Sequence, residues 1–564
     1  MKRHLLALIL SGAAALSHAQ PAPVAIHVDA NAATGPMQPI WAWFGYDEPN
    51  YTTAPNGRKL LGDIAALSPV PVYVRAHNLM SSGDGSHALK WGSTNMYTED
   101  KDGNPVYDWR IVDEIFDTYI QRKMKPLAQI GFMPEALSEH PQPYQHHWKP
   151  GTPYQDIMTG WAYPPKDYAK WSELIYQWVR HSVARYGQAE VESWYWEVWN
   201  EPDGWYLIAP DVKRTYFKMY DYAADAVKRA LPSARIGGPH TAAAGQFLDD
   251  FIVHCLHETN YATGKTGSPL DFVAFHAKGS PSVKDGVVQM GMGIHLKRIQ
   301  DGFNIVAGHP ETRHLPIIIG ESDPEGCAAC GMRTNPENAY RNGTLYASYT
   351  AASIAREYDL AAQAGVNLLG AVNWSFEFED QPWFAGFRDL ATNGVNKPVL
   401  NVFRMLGMMG GQRLKVEGDL AYDAANIIAG GVRGPRTDIN ALASRDPHRI
   451  AVMVWNYHDD DRIDDGAPVA VTITGIPGKR AVLRHYRIDQ QHGNSYALWK
   501  KMGAPAQPNA AQVAQLVKAS ELAQLDKPRT LALRDHSATV TMQLPRQAVS
   551  LLTLSYQAAV TAGR

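Results

Sequence analysis

From about residue 40 to 410 the chain alternates short apolar runs with longer amphipathic stretches. The runs cover 40–46, 71–77, 126–132, 194–200, 234–238, 272–276, 315–320 and 368–374, eight in all. Near-continuous apolar runs of this kind belong to strands covered on both faces, as in a parallel sheet. Between them apolar residues recur at spacings of three and four. Tyr168, Trp171, Leu174, Ile175, Trp178, Val179 and Val183 make one such stripe, and Phe247, Leu248, Phe251, Ile252, Cys255 and Leu256 another. Each predicts a helix that buries one face. A further helical stretch, 399–409, follows the eighth run. Eight strand-helix units predict an α/β architecture, the (β/α)8 barrel.

Past residue 412 the pattern shifts to apolar-polar alternation bounded by turn residues, over 450–457, 469–474, 481–488, 539–544 and 549–554. That predicts an antiparallel β-sandwich, interrupted at 505–525 by an Ala-, Gln- and Leu-rich helix or excursion. Residues 24–28 offer it one more strand. At the start, Lys2, Arg3 and His4 precede an apolar run at 5–16 and the small-x-small sequence Ser17-His18-Ala19. This reads as a cleavable signal peptide over 1–19, sending the protein to a periplasm or out of the cell. No later stretch reaches the roughly 18 apolar residues of a bilayer span, so no membrane association is expected after cleavage. The expected organisation is a signal peptide at 1–19, a catalytic barrel at 40–411, and an accessory sandwich from 20–39 together with 412–564.

Charge and cysteine content narrow the chemistry. Lys and Arg total 53 against 56 Asp and Glu, so the chain lacks the basic excess of a nucleic-acid binder. Export permits a disulfide between Cys327 and Cys330, while Cys255, on an apolar helical face, is expected as a buried thiol. Neither that Cys pair nor His146-His147 is accompanied by further ligands at metal spacing, and no metal or cofactor is expected. There is no Gly-rich phosphate cradle after a strand and no Gly-x-Ser-x-Gly elbow.

Function in such a barrel sits at the carboxyl ends of the strands. The fourth run ends in Asn200-Glu201-Pro202 and the seventh in Gly320-Glu321-Ser322-Asp323. Two carboxylates on one rim can cleave a glycosidic bond, one protonating the departing oxygen and the other attacking the anomeric carbon. Glu201 and Glu321 are the candidates, with Asp323 and Glu325 competing for the place of Glu321. Their opposite protonation states are expected to follow from mutual repulsion. Arg75 offers a planar fork that would orient Glu321 and keep it ionised. Asn200 is placed for a sugar 2-hydroxyl, His77, His276 and Glu379 for other hydroxyls, with Glu377 or Asp380 able to serve in place of Glu379, and Trp374 and Phe132 for apolar walls. Phe378 is a further candidate wall.

The segments YVRAHNLMSSGDG, GNPVYDWRIVDEIFD, KPLAQIGFMPEAL, WYWEVWNEPD, ARIGGPH, DFVAFHAKG, IIIGESDP and NWSFEFED resemble, in this order, glycoside hydrolase family 39. The resemblance covers about residues 40 to 490. It implies a barrel with a β-sandwich and a retaining mechanism, with the acid/base falling on Glu201 and the nucleophile on Glu321. Known members are mostly β-xylosidases, with α-L-iduronidases among the relatives. The expected function is therefore an exo-acting glycosidase that releases xylose from the non-reducing end of xylo-oligosaccharides. The alternatives are the same chemistry on an arabinopyranoside, a glucoside, a uronide or an internal polysaccharide bond, or a carbohydrate-binding protein without turnover.

Overall fold

The computed structural model describes residues 22–149, 152–204 and 206–556. The expected signal peptide lies outside these residues. Eight parallel positions form the barrel: β2 (Trp43–Tyr46), β3 (Tyr73–Ala76), β4 (Lys125–Ile130), β5 (Tyr195–Val198), β6 (Arg235–Thr241), β7 (Phe272–Lys278), β8 (Pro316–Asp323) and a split last strand, β9 (Asn367–Ala371) with β10 (Asn373–Trp374). β9 pairs with β8, and β10 pairs with β2, so the two halves of the broken strand close the ring. At the break, the Asp323 carboxylate accepts the Trp374 backbone N–H at 3.2 Å, a side chain standing in for a ladder carbonyl.

Eight helices cover the outside: α1 (Pro55–Leu67), α2 (Arg110–Ile120), α3 (Tyr168–Tyr186), α4 (Val212–Ala230), α5 (Gln246–His257), α6 (Met292–Gly308), α7 (Thr344–Ala364) and α8 (Pro398–Gly407). α3 illustrates why they form. Asp167 caps its start by accepting from Ala169 and Lys170 N–H groups, and Gly187, at φ 87°, ends it in a conformation that costs other residues energy. Its buried stripe, Trp171, Leu174, Ile175, Trp178 and Val179, is the one that the sequence spacing predicts. Burying each such side chain stabilises the fold by about 1.5–3 kcal/mol.

The second sheet begins with β1 (Val24–Pro36) and continues after the barrel with β11 (Gln412–Gly418), β12 (Asp438–Arg445), β13 (Arg449–Tyr457), β14 (Ala467–Thr474), β15 (Arg480–Ile488), β16 (Ala538–Leu544) and β17 (Val549–Ser555). Hydrogen bonding runs in the order β15, β17, β13, β12, β11, β1, β14, β16. β11 and β12 share only two paired positions, and there the path folds over into two layers. Ile26, Val471 and Val540 from one layer then meet Val452, Leu483 and Leu552 from the other in a single core. β11 and β12 were not foreseen from the sequence. Gln412–Gly418 places a single buried residue, Leu414, among exposed and half-buried ones and carries no apolar run. One pairing, β1 with β14, is parallel within this otherwise antiparallel sheet.

The sandwich packs on the barrel through Met453, Trp455, Ile488 and Leu551, which join the barrel core. Arg356 of α7 and Trp455 of β13 both donate to Asp438 Oδ2, at 2.6 and 2.8 Å, and fix the contact with buried polar groups. The expected helix within 505–525 is α10 (Ala510–Ser520), preceded by a shorter α9 (Ser495–Lys501).

Candidate active site

A pocket of about 400 Å³ opens at the carboxyl ends of the barrel strands, and Glu201 and Glu321 both line it. β5 stops at Val198, after which Trp199 and Glu201 take up φ of 67° and 43°. Left-handed backbone at non-glycine residues costs on the order of 1–3 kcal/mol each, and it turns Glu201 from the strand line into the mouth. The Glu201 N–H is anchored on the His240 carbonyl at 2.9 Å. Glu321 sits in β8 opposite His276 of β7, just past a register irregularity. Its neighbour Gly320 must be glycine, since a Cβ there would fall 2.1 Å from His240 Nδ1. One carboxylate oxygen from each of Glu201 and Glu321 and a ring nitrogen of His276 lie within 4.8 Å of one another.

Lys278 enters the same space, two residues after His276 and on the same face of β7. Its Nζ lies 3.0 Å from Glu201 Oε1 and 2.8 Å from Glu321 Oε2. His276 Nδ1 stands 2.8 Å from Glu201 Oε1 and 3.6 Å from Glu321 Oε1. Burial works to raise the pKa of both carboxyl groups, but the Lys278 ammonium and His276 override it. Glu321 is held down at about 2, and Glu201 well below the ordinary carboxylate range. Burial lowers the pKa of His276 itself, and its Nδ1 stands within hydrogen-bond distance of Glu201. Mutual repulsion of the two carboxylates, the expected source of opposite protonation states, is outweighed by a cation that the sequence reading left without a role.

Arg75 is directed elsewhere than expected. Its Nε meets Glu197 Oε1 at 2.8 Å and Oε2 at 2.9 Å, and its Nη2 donates to Asn200 Oδ1 at 2.8 Å. Glu321 receives only the longer Nη1 contact, at 3.4 Å. Glu197, on β5, was missed, and it is fully enclosed between Arg75 and His240 Nε2, the latter at 2.6 Å. Despite burial, Arg75 and His240 lower the Glu197 pKa to about 2. With its Oδ1 committed to Arg75, Asn200 keeps a buried Nδ2 with no hydrogen-bond partner among the described residues, beside the pocket it lines. An unsatisfied buried donor in a polar pocket is a place for a ligand oxygen.

The remaining candidates divide. His77 lines the pocket, with Nδ1 2.8 Å from Asp47 and Nε2 4.0 Å from Glu321. Trp374 lines it too, its ring pressed over Gly45, where a Cβ would come within 2.3 Å, and under the Arg75 guanidinium at 4.9 Å. Phe132 does not reach the pocket lining. It is fully buried among Trp161, Trp199 and Tyr206, because the aromatic surplus of the rim forms a core beneath the mouth. Phe378 likewise packs on Tyr51 and Phe387. Glu379 accepts from the backbone and side-chain nitrogens of Asn56 at 2.6 and 2.8 Å, fastening the first turn of α1 rather than facing the pocket.

Asp323, the competitor of Glu321, is closed off by Arg388 Nη1 at 3.2 Å and the Trp374 N–H, and burial raises its pKa to about 6. Glu325 pairs with Arg341. The rim also brings Arg298, Arg388 and Lys90 to the pocket, three cations that the strand-end reading did not reach because they come from α6 and from loops. Cys327 and Cys330 are joined as a disulfide in the loop after β8, and Cys327 lines the pocket, while Cys255 is buried and free.

The family model of glycosyl hydrolases family 39 matches residues 24–537. A β-xylosidase from Caldicellulosiruptor saccharolyticus is 28% identical over 436 residues, which cover 75% of this chain and 78% of that protein. A human α-L-iduronidase is 26% identical over 385 residues, 62% of this chain and 55% of its own length. Among solved structures, a monomeric β-xylosidase from Caulobacter crescentus CB15 superposes with a TM-score of 0.72 at 22% identity, covering 94% of this chain and 99% of its own.

Proposed function

The chain belongs to glycosyl hydrolases family 39, and from that premise we propose that it is a retaining, exo-acting glycosidase in which Glu201 is the acid/base and Glu321 the nucleophile. The observation that carries the reading is the approach of one oxygen from each carboxylate to within 4.8 Å across the pocket. A retaining pair stands about 5–5.5 Å apart, whereas an inverting pair needs roughly 6.5–9.5 Å to admit a water. In the first step Glu321 attacks the anomeric carbon while Glu201 gives its proton to the departing oxygen. In the second, Glu201 takes a proton from water, whose oxygen displaces Glu321 from the sugar. Asn200 Nδ2 is free to donate to the 2-hydroxyl, a bond that strengthens as the ring flattens toward the oxocarbenium ion.

The glycone in this proposal is β-linked xylose at the non-reducing end. The naming of relatives as β-xylosidases over three quarters of the chain supports it, as does the flat wall of Trp374 held against Gly45. A uronide is the second reading, favoured by one observation. Arg298 lines the pocket with no ion-pair partner among the described residues, beside Lys278 and Arg388, which the site's own carboxylates already meet, and a neutral pentose brings no charge to meet it. Aryl β-xyloside and aryl α-L-iduronide offered side by side to the purified protein decide between the two. Turnover of neither would overturn both. We further propose export through the segment 1–19, which N-terminal sequencing of the mature protein tests.

A further inference from the structure

Outside the catalytic pocket, the loop following β3 meets the loop following β4. Ser82 N–H donates to Tyr144 Oη at 2.9 Å, and Glu135 N–H to Ser82 Oγ at 2.9 Å, so the two loops are already in register. At their contact, Asp84 from the first loop and His146 and His147 from the second each offer a ligand atom, all within 4.8 Å of one another. The sequence places no carboxylate near the His pair, and the fold supplies one from another loop.

Further details show that this is more than proximity. His146 Nε2 is shielded from solvent and has no hydrogen-bond partner among the described residues. Its distance to Asp84 Oδ1 is 3.5 Å, long for a hydrogen bond. Two ligands on a tetrahedral zinc with bonds of roughly 2.0–2.2 Å stand about 3.4 Å apart, close to that spacing. Gly83 makes the approach possible, since a Cβ there would fall 2.8 Å from His146 Cε1.

We propose that Asp84, His146 and His147 bind a transition-metal cation, zinc by preference, that ties the loop after β3 to the loop after β4 at the barrel rim. Two imidazole nitrogens and one carboxylate oxygen form a donor set suited to zinc and poor for calcium, which takes six or more oxygens. Water completes the coordination on the exposed side. The ion is structural here, because none of the three residues lines the catalytic pocket. The other cluster of this kind, Glu201, His276 and Glu321, is not a rival, since the Lys278 ammonium stands between its carboxylates, where a cation would have to sit.

The test is zinc titration of the full chain, free of any histidine tag and stripped with chelator, followed by calorimetry and thermal unfolding. One zinc per chain is expected, with a Kd at or below about 10 µM. Zinc should also raise the unfolding temperature. His146→Ala and His147→Ala should each weaken binding at least about tenfold and abolish the thermal shift, while glycosidase activity without zinc stays that of the parent. Asp84→Asn should weaken binding as well. Absence of zinc uptake by the parent, equal uptake by His146→Ala, or calcium binding as tight as zinc would each overturn the proposal.

Discussion

Lys278 Nζ is 3.0 Å from Glu201 Oε1, so the carboxylate proposed to deliver a proton rests beside a fixed positive charge. An ammonium there stabilises the ionised acid, the opposite of what protonation of a leaving group requires. On the proposed mechanism, the arrangement would become productive if substrate lengthened the contact of Lys278 with Glu201, through a sugar hydroxyl or, in a uronide, through the sugar carboxylate. In the resting structure Lys278 is also 2.8 Å from Glu321 Oε2, where its charge favours the ionised nucleophile.

Replacing Lys278 by Met tests this coupling. Without the ammonium, burial acts on Glu201 with less opposition, and its pKa moves up. In the profile of kcat/KM against pH, the basic limb, which reports loss of the acid's proton, should shift to higher pH. The acidic limb, set by Glu321 near 2 in the parent, should rise as well. Activity should fall by about 10²-fold or more, the usual cost of removing a preorganised charge. An unmoved basic limb would show that Lys278 does not control Glu201.

Glu201→Ala should cost roughly 10²- to 10⁴-fold on oligosaccharides and far less on aryl glycosides whose leaving group needs no proton. Azide should restore rate and yield a β-glycosyl azide, because the intermediate on Glu321 still forms. A 2-fluoro sugar trapped on the parent enzyme should map by mass spectrometry to the peptide carrying Glu321. Label on Asp323 or Glu325, or a first product of inverted configuration, would contradict the assignment.

The Arg75–Glu197 pair carries a stability prediction. Both side chains are fully buried and Glu321 meets Arg75 only at 3.4 Å, so Glu197→Gln leaves Arg75 poorly compensated and should destabilise the fold by up to about 3–5 kcal/mol. Replacing both by Met should recover much of that loss. Because the folded Glu197 pKa lies near 2, below the ordinary value, its contribution is present above the ordinary carboxylate range and fades as pH falls toward 2. Glu197→Gln should therefore lose less stability than the parent between neutral pH and pH 3, as read from unfolding temperatures.

The contrast between His276 and Lys278 explains what was legible in the sequence. Strand ends could be read because apolar runs mark them, and Glu201, Glu321, Asn200, His77 and Trp374 all lie where a run ends, around the pocket. Lys278 was within reach of the same reasoning, since residues two apart on a strand share a face. Glu197 lay hidden inside a run, where an inward carboxylate looks like an interruption until its arginine is known. Phe132 and Glu379 were misplaced because chain position at a rim does not fix side-chain direction. Arg298, Arg388 and Asp84 come from a helix and from loops, whose folding onto the mouth depends on packing that no local spacing encodes.

The Cys327–Cys330 disulfide closes a very short loop, for which chain entropy predicts less than the roughly 3 kcal/mol expected of a 15-residue loop. Cys327→Ser with Cys330→Ser should thus change the unfolding temperature little. KM should rise, because Gly326 and Cys327 line the pocket and the loop carbonyls of Cys327 and Cys330 are held by Arg341 at 3.0 Å. Thiol titration of the denatured chain should give one thiol without reductant and three with it.

Specificity is the widest of these tests. Xylose lacks the hydroxymethyl group that glucose carries on C5, so a pocket closed against C5 admits one and not the other. A missing contact discriminates by only about 1–3 kcal/mol, whereas a clash with a rigid wall can exclude a substrate outright. The wall here is rigid. Trp374 is held between Gly45 and the buried Arg75, and the Asp323 carboxylate fixes its backbone. Aryl β-xyloside should therefore exceed aryl β-glucoside at least about tenfold in kcat/KM, a difference of roughly 1.4 kcal/mol. Aryl α-L-arabinopyranoside, which also lacks the C5 substituent and differs at the 4-hydroxyl, should rank second. The uronide reading predicts another order. An aryl α-L-iduronide would then lead, and Arg298→Met, which removes a pocket-lining cation that has no ion-pair partner among the described residues, would slow the iduronide more than the xyloside. A glucoside ahead of both would exclude the xylosidase and uronidase readings together and leave the two-carboxylate chemistry standing.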